Sequence, residues 1–359
     1  MIDLANSHLR AALSAHFDPD SGTPYWLDWQ AAIGIDARRD VRTVDDLYLL
    51  GEFEREAWTE RPLSDFVPRG LWEERTQLVL AESGGTSGRP VRCVFTQREF
   101  SEGFGAPYMA ASATRGFPTG GSWLFVGPTG PHVIGRAAGL LAELHGAMQP
   151  FAVDFDPRWA RAQVEGSFGR LHYTRHVLIQ ALDILERETV DVLFVTPPLA
   201  LALADEADDE RRSRIRGVHL GGMAVTSAAY VAIRAAFPNA CVLPGYGNSM
   251  FGLMIEATEP VADASGELHL DYVPLPGRMD VRVVPDDDGV PNIERTVAIG
   301  ERGRVVLSRL DRSFLIANLV ERDRATRIGT PEAAALGLSA EGIRDPYPVI
   351  AKQALEGIY

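Results

Sequence analysis

The sequence predicts an α/β architecture of stacked, mostly parallel sheets with helices, plus a small β subdomain. Two patterns carry this expectation. Between residues 76 and 254, short apolar runs of strand length alternate with longer helical stretches, which is the signature of βαβ units. Beyond about residue 255 the helical periodicity fades, and short strands separated by Pro, Gly and Asp take over. A chain of 359 residues with 46% hydrophobic residues is long enough to bury a large core around such sheets.

The elements fall into four segments. Residues 1–75 mix helical periodicity with tryptophan, and Trp26, Trp29, Trp58 and Trp72 are expected to pack this segment onto the rest. Residues 76–254 form the α/β core. Strands are expected there over 77–81, 91–96, 122–126, 192–196, 217–220 and 241–244. Helices are expected over 173–188, 198–204 and 227–236. Residues 255–329 form the β subdomain, with strands over 267–273, 279–284 and 303–310. Residues 330–359 read as a tail with one short helix at most. It carries Lys352, the only lysine of the chain.

Composition excludes several classes. A net charge of -14 argues against a general nucleic-acid or anionic-membrane binder, although a local basic pocket stays compatible with it. Cys93 and Cys241 form no CxxC pair, so a zinc knuckle or disulfide framework is not expected. No run of about 18 apolar residues marks a membrane span. The N-terminus lacks the apolar core of a signal peptide. A cytoplasmic protein is the expectation. No Gly-x-Ser-x-Gly elbow suggests a hydrolase.

The strongest local signal is Ser83-Gly84-Gly85-Thr86-Ser87-Gly88-Arg89-Pro90, set between two expected strands. Glycines let backbone N–H groups approach an anion closely. Ser and Thr hydroxyls add donors, and Arg89 adds positive charge. Such a loop can wrap nucleotide phosphates. It lacks the Gly-Lys-Ser/Thr ending of a Walker A loop, and a strand follows it rather than the helix of a Rossmann fingerprint. Taken alone, it reads equally well as a surface hairpin rich in turn formers.

The loop resembles the phosphate-binding motif of adenylate-forming enzymes, nearest to the phenylacetate-CoA ligase branch. Other segments resemble that family in the family's order. Leu124-Phe125-Val126-Gly127 with Gly130-Pro131-His132 is similar to its acid-pocket motif. Leu220-Gly221-Gly222-Met223 is similar to its adenine turn. Gly245-Tyr246-Gly247-Asn248-Ser249-Met250 resembles its Tyr-Gly-x-Thr-Glu motif. Gly303–Ser308 with Arg322-Asp323 resembles its ribose-binding region. The resemblance covers roughly residues 40–330.

The resemblance implies activation of a carboxylic acid by ATP and Mg²⁺, with release of pyrophosphate. It implies that Ser83, Gly84, Gly85, Thr86, Ser87 and Gly88 hold phosphates and that Gly221, Gly222, Met223, Tyr246 and Gly247 hold adenine. Asp323 would hold the ribose, and His132 and Arg89 would assist at the reacting acid. The branch suggests an aromatic acid. A chain without the family's small C-terminal domain suggests an adenylating protein of phenazine-antibiotic pathways, which would hand its product to an acceptor enzyme such as a reductase. Transfer to an amine or a carrier thiol, or nucleotide binding without turnover, stay open. So does the oligomeric state, with a homodimer among the options.

The sequence also departs from the family. Met250 stands where the family's Mg²⁺-binding glutamate would be, and a thioether suits this hard cation poorly. That leaves Ser249 as a weak candidate, or a nearby carboxylate such as Glu256. The family's catalytic lysine has no motif-matched counterpart. His172 and His176 share a helical face but lack a third metal ligand. Phe125, Tyr108 and Trp123 fit an aromatic acid pocket or ordinary core packing equally well.

Overall fold

The computed structural model describes residues 2–83, 89–130, 132–164, 166–287 and 289–348. The loop residues Gly84, Gly85, Thr86, Ser87 and Gly88, and Lys352, lie outside the described residues.

Strands β1 (Leu78–Glu82) and β2 (Arg92–Thr96) pair antiparallel. The pairing extends one step to Ser83 and Val91. The Ser83 N–H donates to the Val91 carbonyl, and the Val91 N–H donates to Ser83 Oγ, both at 3.0 Å. This closes the neck of the glycine-rich loop.

The parallel strands gather in one six-stranded sheet. Its members are β3 (Trp123–Gly127), β4 (Phe151–Asp154), β5 (Val192–Val195), β6 (Gly217–Leu220), β7 (Cys241–Asn248) and β8 (Gly252–Ile255). The spatial order is β4-β3-β5-β6-β7-β8, with only the β7–β8 pair antiparallel. β3, β5 and β6 are buried along their whole length. This is why they read as continuous apolar runs: strands covered on both faces have no solvent side to alternate with. The crossover helices are Val133–Leu144, Phe168–Arg187, Pro197–Glu206 and Ser227–Ala236. Ser167 and Thr226 cap two of them by accepting the N–H groups of Arg170 and Ala229. Prolines open the third. His172 and His176 are exposed on the Phe168–Arg187 helix. Among the described residues, no group of three ligand-type side chains could hold a metal. No described helix is long and apolar enough to cross a membrane.

The remaining strands are β9 (Asp271–Tyr272), β10 (Met279–Val284), the small hairpin β11 (Asp286–Asp287) and β12 (Val290–Pro291), β13 (Arg302–Leu310), β14 (Leu315–Gly329) and β15 (Glu341–Pro348). Five of them form an antiparallel sheet in the order β10-β13-β14-β15-β9. Two expectations change here. The strand expected over 267–273 shrinks to β9, because Asp263 accepts the N–H groups of Ser265 and Glu267 and holds the approach in a turn. The tail, expected to hold one short helix at most, holds the helix Pro331–Ala335 and also β15, paired on β14. Prolines and the positive φ of Asp345 hide that strand from any alternation pattern.

β14 carries two irregularities. Asn318 sits at φ 54, a conformation asparagine tolerates, and its buried amide donates to the carbonyls of Leu47 and Gly51 at 2.7 Å each. The other lies between the pairs Arg304↔Arg324 and Val306↔Val320, where β13 advances two residues and β14 four. The surplus residues bulge out around Glu321–Asp323, and a bulge of this kind re-aims side chains.

Arg309 fastens the two sheets together and is fully buried. Its guanidinium lies 3.6 Å from the Phe95 ring centroid. It donates to the carbonyls of Val94 (2.6 Å) and Met250 (3.0 Å) and to the Asp311 carboxylate (2.6 Å). Arg278, also buried, pairs with the same carboxylate. Burial alone would raise the Asp311 pKa, but the two guanidinium groups hold it below the ordinary value. The first 75 residues dock alongside. The Trp26 indole donates to the Leu315 carbonyl and the Trp58 indole to the Arg92 carbonyl. Trp26 and Trp58 are buried, and Trp29 and Trp72 are partly so.

Replacing Arg309 with Met should destabilise the fold by about 3–5 kcal/mol, because Asp311 loses a charge partner in the interior. Urea unfolding checks this. Arg309→Lys should recover little, since an ammonium cannot make the same fork of hydrogen bonds.

Candidate functional site

In open α/β sheets the carboxyl ends of the strands, at the point where strand order reverses, form the natural ligand crevice. That point lies here between β3 and β5, since the chain leaves β3 for β4 on one side and leaves β5 for β6 on the other. A cavity of about 350 Å³ opens there. Pro128, His132 and Val133 line it after β3, and Phe194 lines it from β5. The turn Gly221–Ala224 lines it after β6, and Gly245–Gly247, Ser249 and Met250 from β7 onward. The bulge of β14 adds Glu321, Arg322 and Asp323 from the other sheet.

The cavity thus brings together Ser83, His132, Gly221, Gly222, Met223, Tyr246, Gly247, Ser249 and Asp323. Arg89 is exposed and stands outside the lining. Gly84, Gly85, Thr86, Ser87 and Gly88 lie outside the described residues. Tyr108, Phe125 and Trp123 are core residues and do not line the cavity. Tyr108 and Trp123 pack around Phe117 and His145, while Phe125 packs on Phe194.

Tyr246 and Asp323 meet directly. The Tyr246 hydroxyl donates to Asp323 Oδ2 at 2.5 Å. Burial raises the Asp323 pKa above the ordinary carboxylate value, while the Tyr246 hydrogen bond and the charges of Arg304 and Arg322 oppose the rise. Burial, and then the Asp323 charge, push the Tyr246 phenol well above its usual value. Nearby, Arg55 donates to Glu321 at 3.0 Å.

On the β1 side, Glu82 is 5% exposed and receives Arg92 at 2.7 Å and also Arg158. Burial works against its charge, but the two arginines win and lower its pKa. Arg158 Nη2 lies 3.3 Å from His132 Nε2. An arginine only donates, so Nε2 is the acceptor here. Burial, then the Arg158 charge, lower the His132 pKa, which agrees with a neutral ring. No sequence pattern joins Glu82, His132 and Arg158, because three separate elements bring them together.

His219 is the residue that sequence reasoning passed over. It lies on β6, two residues before Gly221, and is 1% exposed. Its signal was a single polar residue inside a fully apolar strand. Nδ1 donates to the Leu243 carbonyl at 2.9 Å, and burial lowers its pKa to about 4.

The site fits Mg²⁺ poorly as an ion caged by protein. Met250 is buried, and Glu256 is buried outside the lining, where it accepts the Asp271 N–H. The lining carboxylates are Glu321 and Asp323, engaged by Arg55 and Tyr246. Ser249 offers one hydroxyl.

Tyr246→Phe should raise the Asp323 pKa further, because it removes a donor to the charged form. Carboxyl-carbon NMR of the two proteins measures this. An unchanged or lowered value would contradict the assigned bond.

No family model matches the chain, and no curated protein does. Solved structures do match. The postadenylation state of 2-hydroxyisobutyryl-CoA ligase, in complex with R3-HIB-AMP, superposes with a TM-score of 0.66 at 15% identity, covering 98% of this chain and 67% of that one. An open conformation of the same ligase, with 2-HIB-AMP and CoA, gives 0.63 at 15% identity, covering 95% and 72%. At such identity the likeness speaks for architecture. The chain has the α/β fold of that ligase, across about two thirds of the ligase's length.

Proposed function

We propose that this chain binds ATP and activates a carboxylic acid as its acyl-adenylate. One observation carries the reading: a single cavity at the strand-order switch point gathers Ser83, His132, the Gly221–Gly222 turn, Tyr246 and Asp323. The structural neighbours named above hold acyl-AMP species, which supports it.

In this reading Asp323 receives a ribose hydroxyl on Oδ1, and Tyr246 bounds the adenine slot formed with Gly221 and Gly222. Ser83 and Arg89 frame the phosphate loop, with Gly84, Gly85, Thr86, Ser87 and Gly88 supplying its donors. The neutral His132 ring faces the acid, with Arg158 hydrogen-bonded to its Nε2 outside the lining. A carboxylate oxygen attacks the α-phosphorus, the bond to the bridging oxygen breaks, and pyrophosphate leaves. The protein's work is positioning and charge stabilisation. Mg²⁺ would travel on the phosphates, with Ser249 as the candidate protein ligand, because magnesium commonly keeps waters and few protein ligands.

The acid is proposed to be aromatic, with a phenazine carboxylate as the largest candidate. A cavity of about 350 Å³ lies near the lower end for small-molecule sites, which favours a compact acid. The adenylate would pass to an acceptor enzyme such as a reductase, or to an amine or carrier thiol. A second reading is nucleotide binding without turnover. Met250, buried in the metal-ligand position, is the observation that favours it.

Acid-dependent exchange of labelled pyrophosphate into ATP, across a panel of aryl acids, tests the proposal. Exchange with one acid is expected. ATP binding without exchange would turn the reading to the non-catalytic one, and no ATP binding would sink it. Asp323→Asn should weaken ATP binding about 10–100-fold, as loss of a charge-assisted hydrogen bond does. Calorimetric titration measures this.

A further inference from the structure

A buried histidine with one ring nitrogen bonded to the backbone has a single direction left in which to act. His219 Nδ1 is committed to the Leu243 carbonyl. The hydrogen must sit on Nδ1, because a carbonyl only accepts. Nε2 is therefore a lone-pair acceptor. The ring edge that carries it faces the cavity, as two neighbouring glycines show. A Cβ on Gly245 would come within 3.0 Å of His219 Cε1, and a Cβ on Gly221 within 3.7 Å of Nε2. His219 and both glycines line the cavity, and neither glycine places a Cβ over that edge.

The side chains packed on this ring are aromatic and aliphatic, with the Tyr108 ring edge-on at 4.9 Å. The Phe194 ring lies edge-on at 4.3 Å from the imidazole. Leu253 closes the side next to Gly245, where a Cβ would meet its Cδ1 at 2.7 Å. The carboxylates of the cavity belong to the β14 bulge and are engaged by Tyr246 and Arg55. An apolar recess whose side-chain acceptor is His219 Nε2 selects for a ligand carrying a matching donor, because a ligand without it leaves that nitrogen buried and unpaired. The same recess disfavours an ammonium group, which would need a carboxylate partner there.

We propose that the acid accepted here bears a hydroxyl group, remote from its carboxylate, that donates to His219 Nε2. This rests on the adenylation reading and narrows its substrate to hydroxylated acids. Gly221 and Gly245 are the backbone positions that leave room for that hydroxyl. His219 is then a specificity residue that touches the substrate and takes no part in the transfer itself.

Matched pairs of acids test it. Each hydroxylated acid, aliphatic or phenolic, is compared with its deoxy analogue in pyrophosphate exchange and in calorimetric binding with ATP present. The native chain should prefer at least one hydroxylated acid by roughly 10–100-fold. His219→Phe should reduce that preference to about one, mainly by losing the hydroxylated acid. The same variant's affinity for ATP, measured on the same preparation, shows that it is folded. Equal use of both members of every pair by the native chain would overturn the proposal, and so would a preference that survives His219→Phe. Either result, with ATP still bound, leaves the adenylation reading standing. Absence of ATP binding by the native chain would remove both.

Discussion

The architecture depends on the buried guanidinium of Arg309. This side chain belongs to β13, yet its hydrogen bonds end on β2 and on the turn after β7. A cation with no solvent exposure persists only if a counter-charge and a full set of acceptors surround it. Asp311 supplies the charge, the carbonyls of Val94 and Met250 supply acceptors, and the Phe95 ring covers one face. The antiparallel sheet is therefore tied both to the β1–β2 pair and to the turn between β7 and β8 of the parallel sheet. The cavity needs that rigidity, because its walls come from both sheets. Met250 sits inside this arrangement, with its carbonyl holding Arg309 while its side chain is buried. A residue in that place serves the junction of the sheets as much as the cavity.

Much of the fold was legible in the sequence because parallel strands are apolar runs and their crossovers are long. The expected strand over 217–220 and the expected helix over 227–236 coincide with β6 and with Ser227–Ala236. Legibility failed where local chemistry hid the pattern. β14 is a 15-residue strand, but its charged run and bulge disguise it. β15 carries two prolines and a left-handed Asp345. The candidate site was legible to the extent that its residues lie at or just past the carboxyl ends of strands: Gly221 and Gly222 follow β6, His132 comes shortly after β3, and Tyr246 lies in the last residues of β7. Glu82, Arg55 and Arg158 were not, since each reaches its partner through tertiary packing. His219 was visible as a residue but not as a participant, because a histidine inside a strand most often serves the core.

The cavity has two electrostatic characters. At one end Arg55, Glu321, Arg322 and Asp323 make a polar rim, partly exposed. Elsewhere in the lining, Phe194, Leu253 and the neutral His219 make an apolar recess. A ligand that is anionic and polar at one end and compact and mostly apolar at the other matches this division. In the rim the Tyr246–Asp323 bond keeps a partly desolvated carboxylate oriented, so little reorganisation is required when a hydroxyl-bearing ligand arrives.

The ladder between β14 and β15 ends with Asp323 opposite Pro348, and Pro348 itself lines the cavity. The last described strand therefore delivers the chain to the mouth of the site. Any reactive group or docking module joined just beyond that point would meet the cavity as an intramolecular partner. Its action would be governed by an effective concentration, which short flexible tethers place in the millimolar range, and not by how abundant a free partner is in solution.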